Sequence, residues 1–312
     1  MSRPPGATVG GQAVLEGVMM RAPSRWAVAV RRPDGIIEAI RHELPRLASR
    51  SWAARVPFLR GVMVLLESLQ LGFRALSWSA QKSGEEDEEL TRAQVVTTMV
   101  IAVALALVLF IGAPVAAASF LTRFFEESSV AFVVIDGLVR IGLIVAYIWA
   151  ISRTPDIKRV FEYHGAEHMT IHAYEAGDPL GVEQVSVYSP RHPRCGTSFI
   201  VIVAMVAFVV FLTLAPLPLW WQIVARLALI PVIAGVSYEV LKAAADTRWL
   251  AWASKPGIWL QAITTKEPSV DQIEVAIASL LAALDDDERT EVDGRGPVAA
   301  GALGAVYDPA SD

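Results

Sequence analysis

Long apolar runs alternate with short polar segments along most of this chain, and their lengths predict membrane-length helices. Residues 95–119 form an apolar run without a charge, long enough to cross a hydrocarbon core of about 30 Å. Residues 130–151 predict a second span, on which Asp136 and Arg140 stand four apart and can pair on one helical face. Residues 197–217 predict a third span and 223–241 a fourth. PLPLWW at 216–221 joins them as a tight turn with its aromatics at headgroup level, and Pro231 and Gly235 mark a bend in the fourth. Residues 56–80 are also apolar but carry Arg60, Glu67 and Arg74. Full insertion would put a carboxylate near the bilayer centre, so this stretch reads as an amphipathic or re-entrant helix on the inner leaflet.

The ends of the chain follow other periods. WAVAVRRPDGIIEAIRHEL, starting at Trp26, gives two β-type runs around Pro33-Asp34-Gly35, a hairpin signal. The opening MSRPPGATVGGQAVLEGVMM lacks the charged, apolar and small-residue order of a signal peptide. Gly10-Gly11-Gln12 and Glu16-Gly17 suit a tight structural turn better than a phosphate cradle, since no GxGxxG or Walker pattern surrounds them. Near the other end, residues 270–284 predict a helix with one apolar face.

The fold class expected is a polytopic α-helical membrane protein of about four transmembrane helices. A small α+β cytoplasmic domain is built from the N-terminal, central and C-terminal segments. The expected order is a cytoplasmic segment with short strands over 1–55, the amphipathic helix over 56–80 and an acidic linker over 81–94. A helical hairpin over 95–151 follows, then a polar segment over 152–196, a second hairpin over 197–241, a cytoplasmic segment over 242–287 and a disordered tail over 288–312.

Composition supports the membrane reading: 54% of the 312 residues are hydrophobic and 19% charged, with a mean hydropathy of +0.45. The net charge of -5 adds little. Basic residues decide orientation. Arg123 stands alone between the first two spans, none lies between Pro216 and Gln222, and 152–196 carries Arg153, Lys158, Arg159, Arg191 and Arg194. Both termini and the 152–196 segment are therefore expected in the cytoplasm, at a bacterial inner membrane. Scattered basic residues give no support to nucleic-acid binding.

Candidate chemistry concentrates in that central segment. Four of the five histidines and the single cysteine, His164, His168, His172, His192 and Cys195, fall within 32 residues. On a helix, 164, 168 and 172 form one stripe at i,i+4 spacing. Two imidazoles at that spacing can hold one ion, while the third is too far along a straight helix. The pattern is not HExxH, because Glu167 precedes His168 directly. Glu162, Glu167 and Glu175 supply carboxylates, and Gly165 could open the helix. Prolines at 190 and 193 make YSPRHPRCGTSF a rigid loop that offers His192 and Cys195. Three readings stay open: a metal site, a thiol nucleophile from Cys195 with a histidine, and imidazoles in structural hydrogen bonds. The N, S and O donors suit zinc first, with iron or manganese where carboxylates dominate. Glu239, at the end of the fourth span, is an arginine partner or an acid near the site.

Five motifs resemble the DUF1385 family: GGQAVLEGVMMRAP at 10–23, YHGAEHMTIHAYEAG at 163–177, HPRCGTSF at 192–199, PVIAGVSYE at 231–239 and PGIWLQAITTKEPSVDQIEVAI at 256–277. The resemblance implies a YqhQ-like bacterial membrane protein of a group labelled metal-dependent enzymes. It also implies that Gln12, Glu16, Gln261, Thr264, Thr265 and Glu267 belong to the functional unit. The family pattern has Lys after the second histidine of the stripe, where this chain has Met169.

The function expected is hydrolysis at the cytoplasmic membrane face. A divalent metal on the five candidate ligands would acidify a water, and Glu167 or Glu16 would accept its proton. The partners are the bilayer and an amphiphilic or membrane-associated substrate, with a homo-oligomer compatible. The rival readings are a noncatalytic scaffold or assembly factor with a structural ion, and an oligomeric transporter built on Asp136 and Arg140.

Overall fold

A computed structural model describes residues 9–44, 56, 59–84, 92–124, 129–193, 195–215, 217–246 and 255–307. Of the stretch 41–55, basic in sequence, residues 45–55 lie outside the described residues, as does the acidic run 85–89.

The strand pattern near the N-terminus extends further than the hairpin at Pro33. Strands β1 (Gly10–Val14), β2 (Gly17–Arg21), β3 (Arg25–Arg31) and β4 (Ile37–Glu43) form an antiparallel meander. Arg31 pairs with Ile37 across the expected Pro33-Asp34-Gly35 turn, where Gly35 takes a φ of 84°. The glycine-rich opening is strand rather than turn alone. Gly10 to Val14 pair with Arg21 to Gly17, and the turn itself holds Glu16 at a φ of 50°.

Successive residues of a strand point to opposite faces, and here both faces are covered. Val18, Met20, Ala27, Ala29 and Ala39 pack with a helix over Val270–Ala283 and with another over Pro155–Ala176. Met19, Trp26, Val28, Val30 and Ile40 meet Leu71 and Ala75 of α1 (Leu59–Ser83) on the other side. This explains the nearly continuous apolar runs of β2 and β3. It also corrects the one-faced expectation for Val270–Ala283, where Gln272, Ile273 and every residue from Val275 to Ala283 are buried. Small alanine side chains let neighbours approach on all sides. The tail expected to be disordered continues as helices Asp286–Arg295 and Ala300–Leu303, and as β5 (Val306–Tyr307), which pairs parallel with β4. An Asp285 capping box starts the first of these helices.

The charges on α1 have protein partners. Glu67 is buried and accepts from Arg21 of β2 at 2.8 Å, and Arg60 donates two bonds, at 3.2 and 2.6 Å, to Glu239. Glu239 is thus an arginine partner.

Two helical stretches, Val100–Leu121 and Val130–Ile151, are long and apolar enough to cross a membrane. The first takes in the C-terminal half of α2 (Arg92–Leu107), a π-turn at Val108–Gly112 and α3 (Ala113–Leu121). Pro114, which lacks an N–H, lies just after the π-turn and accounts for the interruption. The second lies on α4 (Ser129–Ile151). Trp220–Ala228 and Ile230–Ala244 make a third candidate if taken as one span, bent by 53°. The bend falls at Leu229, two residues before Pro231, whose ring disfavours helix in the preceding turn. Thr197–Thr213 is apolar but shorter than a span. The molecule is therefore largely α-helical, with two or three candidate membrane-crossing helices, an N-terminal sheet and C-terminal helices.

Between these helices Asp136, fully buried, meets two arginines. Arg140 donates at 3.2 and 3.1 Å, and Arg226 approaches to 3.1 Å. Both guanidinium groups also lie over the Phe211 ring.

Candidate metal centre

Helix α5 (Pro155–Ala176) carries the histidine stripe as one unbroken helix, ended by Gly177 in the left-handed region at φ 80°. Pro155 occupies its first turn, where no N–H is needed. Gly165 does not open the helix. It permits contact, because a Cβ there would stand 2.0 Å from the carbonyl oxygen of Lys266. The segment 264–266, which follows α6 (Lys255–Thr264), can thus lie directly on α5, and Lys266 N–H donates to Phe161 O at 3.0 Å.

That contact sets the first ligand. His164 Nδ1 sits 2.8 Å from Thr264 O, so Nδ1 carries the hydrogen and Nε2 the lone pair. Nε2 lies 3.2 Å from Cys195 Sγ. His168 is oriented the same way, with Nδ1 2.6 Å from Pro190 O. One donor atom each from His164, His168 and Cys195 lie within 4.8 Å of one another, a group able to hold a divalent ion. Ligand atoms around a tetrahedral zinc stand roughly 3.3–3.8 Å apart, given Zn–N of about 2.0 Å and Zn–S of about 2.3 Å. The trio needs only small adjustment to meet that.

The Cys195 loop is fastened from below. Gln261 accepts from His192 N–H at 2.8 Å and donates to His192 O at 2.9 Å, as a strand neighbour would. Thr197 N–H points to Cys195 Sγ at 3.4 Å. His172 and His192 form an adjoining pair, their rings 4.4 Å apart. His172 Nε2 bonds Arg191 O at 3.0 Å, and His192 Nε2 faces Glu175 at 3.5 Å. Among the described residues, only the His164, His168 and Cys195 atoms converge as a ligand group.

Of the two candidate bases, only Glu167 adjoins the trio. It is buried, one carboxylate oxygen has no hydrogen-bond partner, and Gly11 of β1 supplies a backbone N–H. A Cβ on Gly11 would lie 2.6 Å from Met19 O of β2 and 3.0 Å from the Glu167 carboxyl carbon, so glycine here clears the paired strand first and the carboxyl second. Burial pushes the Glu167 carboxyl up to about 8, against the attraction of His164, with Cys195 adding to the rise. Glu16 lies elsewhere, at the β1–β2 turn. It accepts from Arg159, at 2.6 Å through Nη2, and from Tyr163 OH at 3.3 Å.

Burial lowers His168 to about 2 and His192 to about 4, so both rings are neutral ligands or acceptors across the physiological range. Burial raises the Cys195 thiol, opposed by its Thr197 hydrogen bonds. The thiolate is the form that binds metal. Zinc affinity is therefore expected to rise with pH between about 6 and 8, approaching tenfold per unit for one displaced proton. Competition titrations with a chromophoric chelator would show this slope reduced in Cys195→Ser. An unchanged slope would exclude the thiol as the proton source.

A family model, "Protein of unknown function (DUF1385)", matches residues 56–286 and takes in the whole trio. The chain belongs to the DUF1385 family. A DUF1385 relative, "Uncharacterized protein YqhQ" of Bacillus subtilis (strain 168), is 38% identical over 287 residues, covering 86% of this chain and 90% of that protein. No solved structure matches. Some of what orders this DUF1385 site carries no side-chain signal. The carbonyls of Thr264 and Pro190 are backbone groups, and the close approach at Gly11 depends on the absence of a side chain.

Proposed function

We propose that this chain is a metal-dependent hydrolase of the bacterial inner membrane, with four spans, both termini in the cytoplasm, and the site at the cytoplasmic face. The observation that carries the reading is the convergence of two imidazoles and a thiol beside a buried carboxyl with an unpartnered oxygen. Three protein ligands leave a fourth coordination position open, as catalytic zinc sites do. Zinc suits the N2S donor set best.

A bound ion would supply Lewis acidity and lower the pKa of a water towards neutrality. Thr264 O and Pro190 O hold the two rings so that their Nε2 atoms face the site. Thr197 and Gln261 hold the Cys195 loop. Burial raises the Glu167 carboxyl, and its unpartnered oxygen is where it could take up or release a proton. His172, His192 and Glu175 extend the polar strip along α5, and Glu16 steadies the β1–β2 turn against Arg159. The location favours an amphiphilic ester or amide, or a membrane-delivered peptide.

A second reading, a scaffold with a structural ion, draws support from the same geometry, because the trio ties α5 to the loop at 190–195 while Thr264 brings in the C-terminal segment. Hydrolysis of a panel of esters, amides and peptides by metal-loaded protein separates the two. Glu167→Gln is expected to keep its metal and lose about 10²–10⁴-fold in kcat. Metal-loaded wild type inactive on the whole panel would favour the scaffold.

A further inference from the structure

At the C-terminal end of α4, where the span Val130–Ile151 gives way to α5, lies a cavity of ≈ 510 Å³. Its lining includes Trp149, Ser152, Arg153, Lys158, Ile263 and Lys266, three of them cationic and none acidic. That is the size of a small-ligand site. The local charge is opposite to the chain's net charge of -5. The carboxylate paired with Lys158 is Glu162, at 3.7 Å, and the Lys158 side chain stays 62% exposed. The Arg153 guanidinium stacks over the Trp149 ring at 4.7 Å.

Depth and neighbourhood narrow the ligand. Trp149 stands two residues before the end of α4 and is exposed, as indoles at headgroup level are. Arginine offers a planar fork to phosphate oxygens, and lysine a point charge. The cavity also shares a wall with the metal centre. Thr264 turns its carbonyl to His164, and two residues later Lys266 lines the cavity.

We infer that this cavity binds the phosphate of an anionic phospholipid headgroup, and so presents amphiphilic substrates to the metal centre. The inference rests on the membrane hydrolase reading above. Three cations without a lining acid favour a headgroup with net negative charge over a zwitterionic one. A phosphate at this level also leaves its acyl chains beside α4, in the bilayer.

The test is native mass spectrometry of the full-length protein in detergent, titrated with phosphatidylglycerol, phosphatidylcholine or soluble glycerol 1-phosphate. Each cation near an anionic headgroup contributes about fivefold in affinity. Wild type is therefore expected to prefer phosphatidylglycerol over phosphatidylcholine by tenfold or more. The triple variant Arg153→Gln/Lys158→Gln/Lys266→Gln is expected to lose that preference while keeping its metal. Lys158→Glu, at an exposed side chain, serves if the triple variant is not recovered, with an expected loss of at least about fivefold. Equal binding of the two lipids, or an unchanged preference in the variants, would overturn the inference. Displacement of the lipid by equimolar glycerol 1-phosphate would overturn it in favour of a soluble phosphate ester. Lipid preference in wild type that carries no metal would defeat the hydrolase reading and leave the headgroup site standing.

Discussion

His168→Ala is expected to cost the protein about two to three orders of magnitude in zinc affinity. Structural zinc sites gain about 10–16 kcal/mol at pH 7 from four ligands, or ~3–4 kcal/mol for each, and 1.4 kcal/mol is tenfold. His168 is well prepared for the role: burial keeps it neutral, and Pro190 O fixes its tautomer. His172 is the control. It stands at the same spacing one turn further along α5, but its Nε2 is committed to Arg191 O. His172→Ala should therefore stay within about tenfold of wild type, the range of second-shell changes. Chelator competition on purified protein measures both. Equal losses would mean that the ion sits elsewhere on the stripe.

Asp136→Ala is expected to destabilise the helical bundle by about 3–5 kcal/mol, the usual cost of removing one partner from a buried ion pair. Among the described residues, Asp136 is the carboxylate paired with both Arg140 and Arg226, and Arg226 is 3% exposed. Without it, two guanidinium groups lie close together beside the Phe211 ring without the carboxylate that pairs them. Removing one of them should recover much of the loss, so Asp136→Ala/Arg226→Met is expected to unfold later than Asp136→Ala alone. Thermal unfolding in detergent reads the difference. Wild-type stability in Asp136→Ala would remove the triad from any structural role and revive the transport reading.

Interactions local in sequence were the legible ones. The Pro33-Asp34-Gly35 hairpin, the pairing of Asp136 with Arg140 and the stripe at 164, 168 and 172 follow from turn chemistry and i,i+4 geometry. Their long-range completions do not. Arg226 joins Asp136 from another helix, and neither periodicity nor spacing announces it. The stripe alone does not tell which two of its three imidazoles turn towards Cys195. That depends on where the loop at 190–195 is fastened, and Gln261 does the fastening from 69 residues away. Gly10-Gly11 read as a turn because glycine permits unusual backbone conformations, yet Gly11 lies in β1, where a side chain would meet Met19 O at 2.6 Å before it met Glu167. The carboxylate of Glu67 argued against insertion of α1, and its partner Arg21 was equally out of reach of a local pattern. The apolar runs marked the long helices and Pro231 marked the bend that falls at Leu229, but the shortness of the Thr197–Thr213 helix follows from no local signal.

The most direct test of the metal centre is X-ray absorption spectroscopy of the zinc-loaded, full-length protein. The geometry predicts one sulfur at about 2.3 Å and two imidazole nitrogens at about 2.0 Å, completed by a light atom that the protein does not supply. Cys195→Ser should lose the sulfur shell and keep the imidazole scattering. A first shell of nitrogen and oxygen alone in wild type, or three to four imidazoles with no sulfur, would contradict the account and move the ion away from the His164, His168 and Cys195 trio.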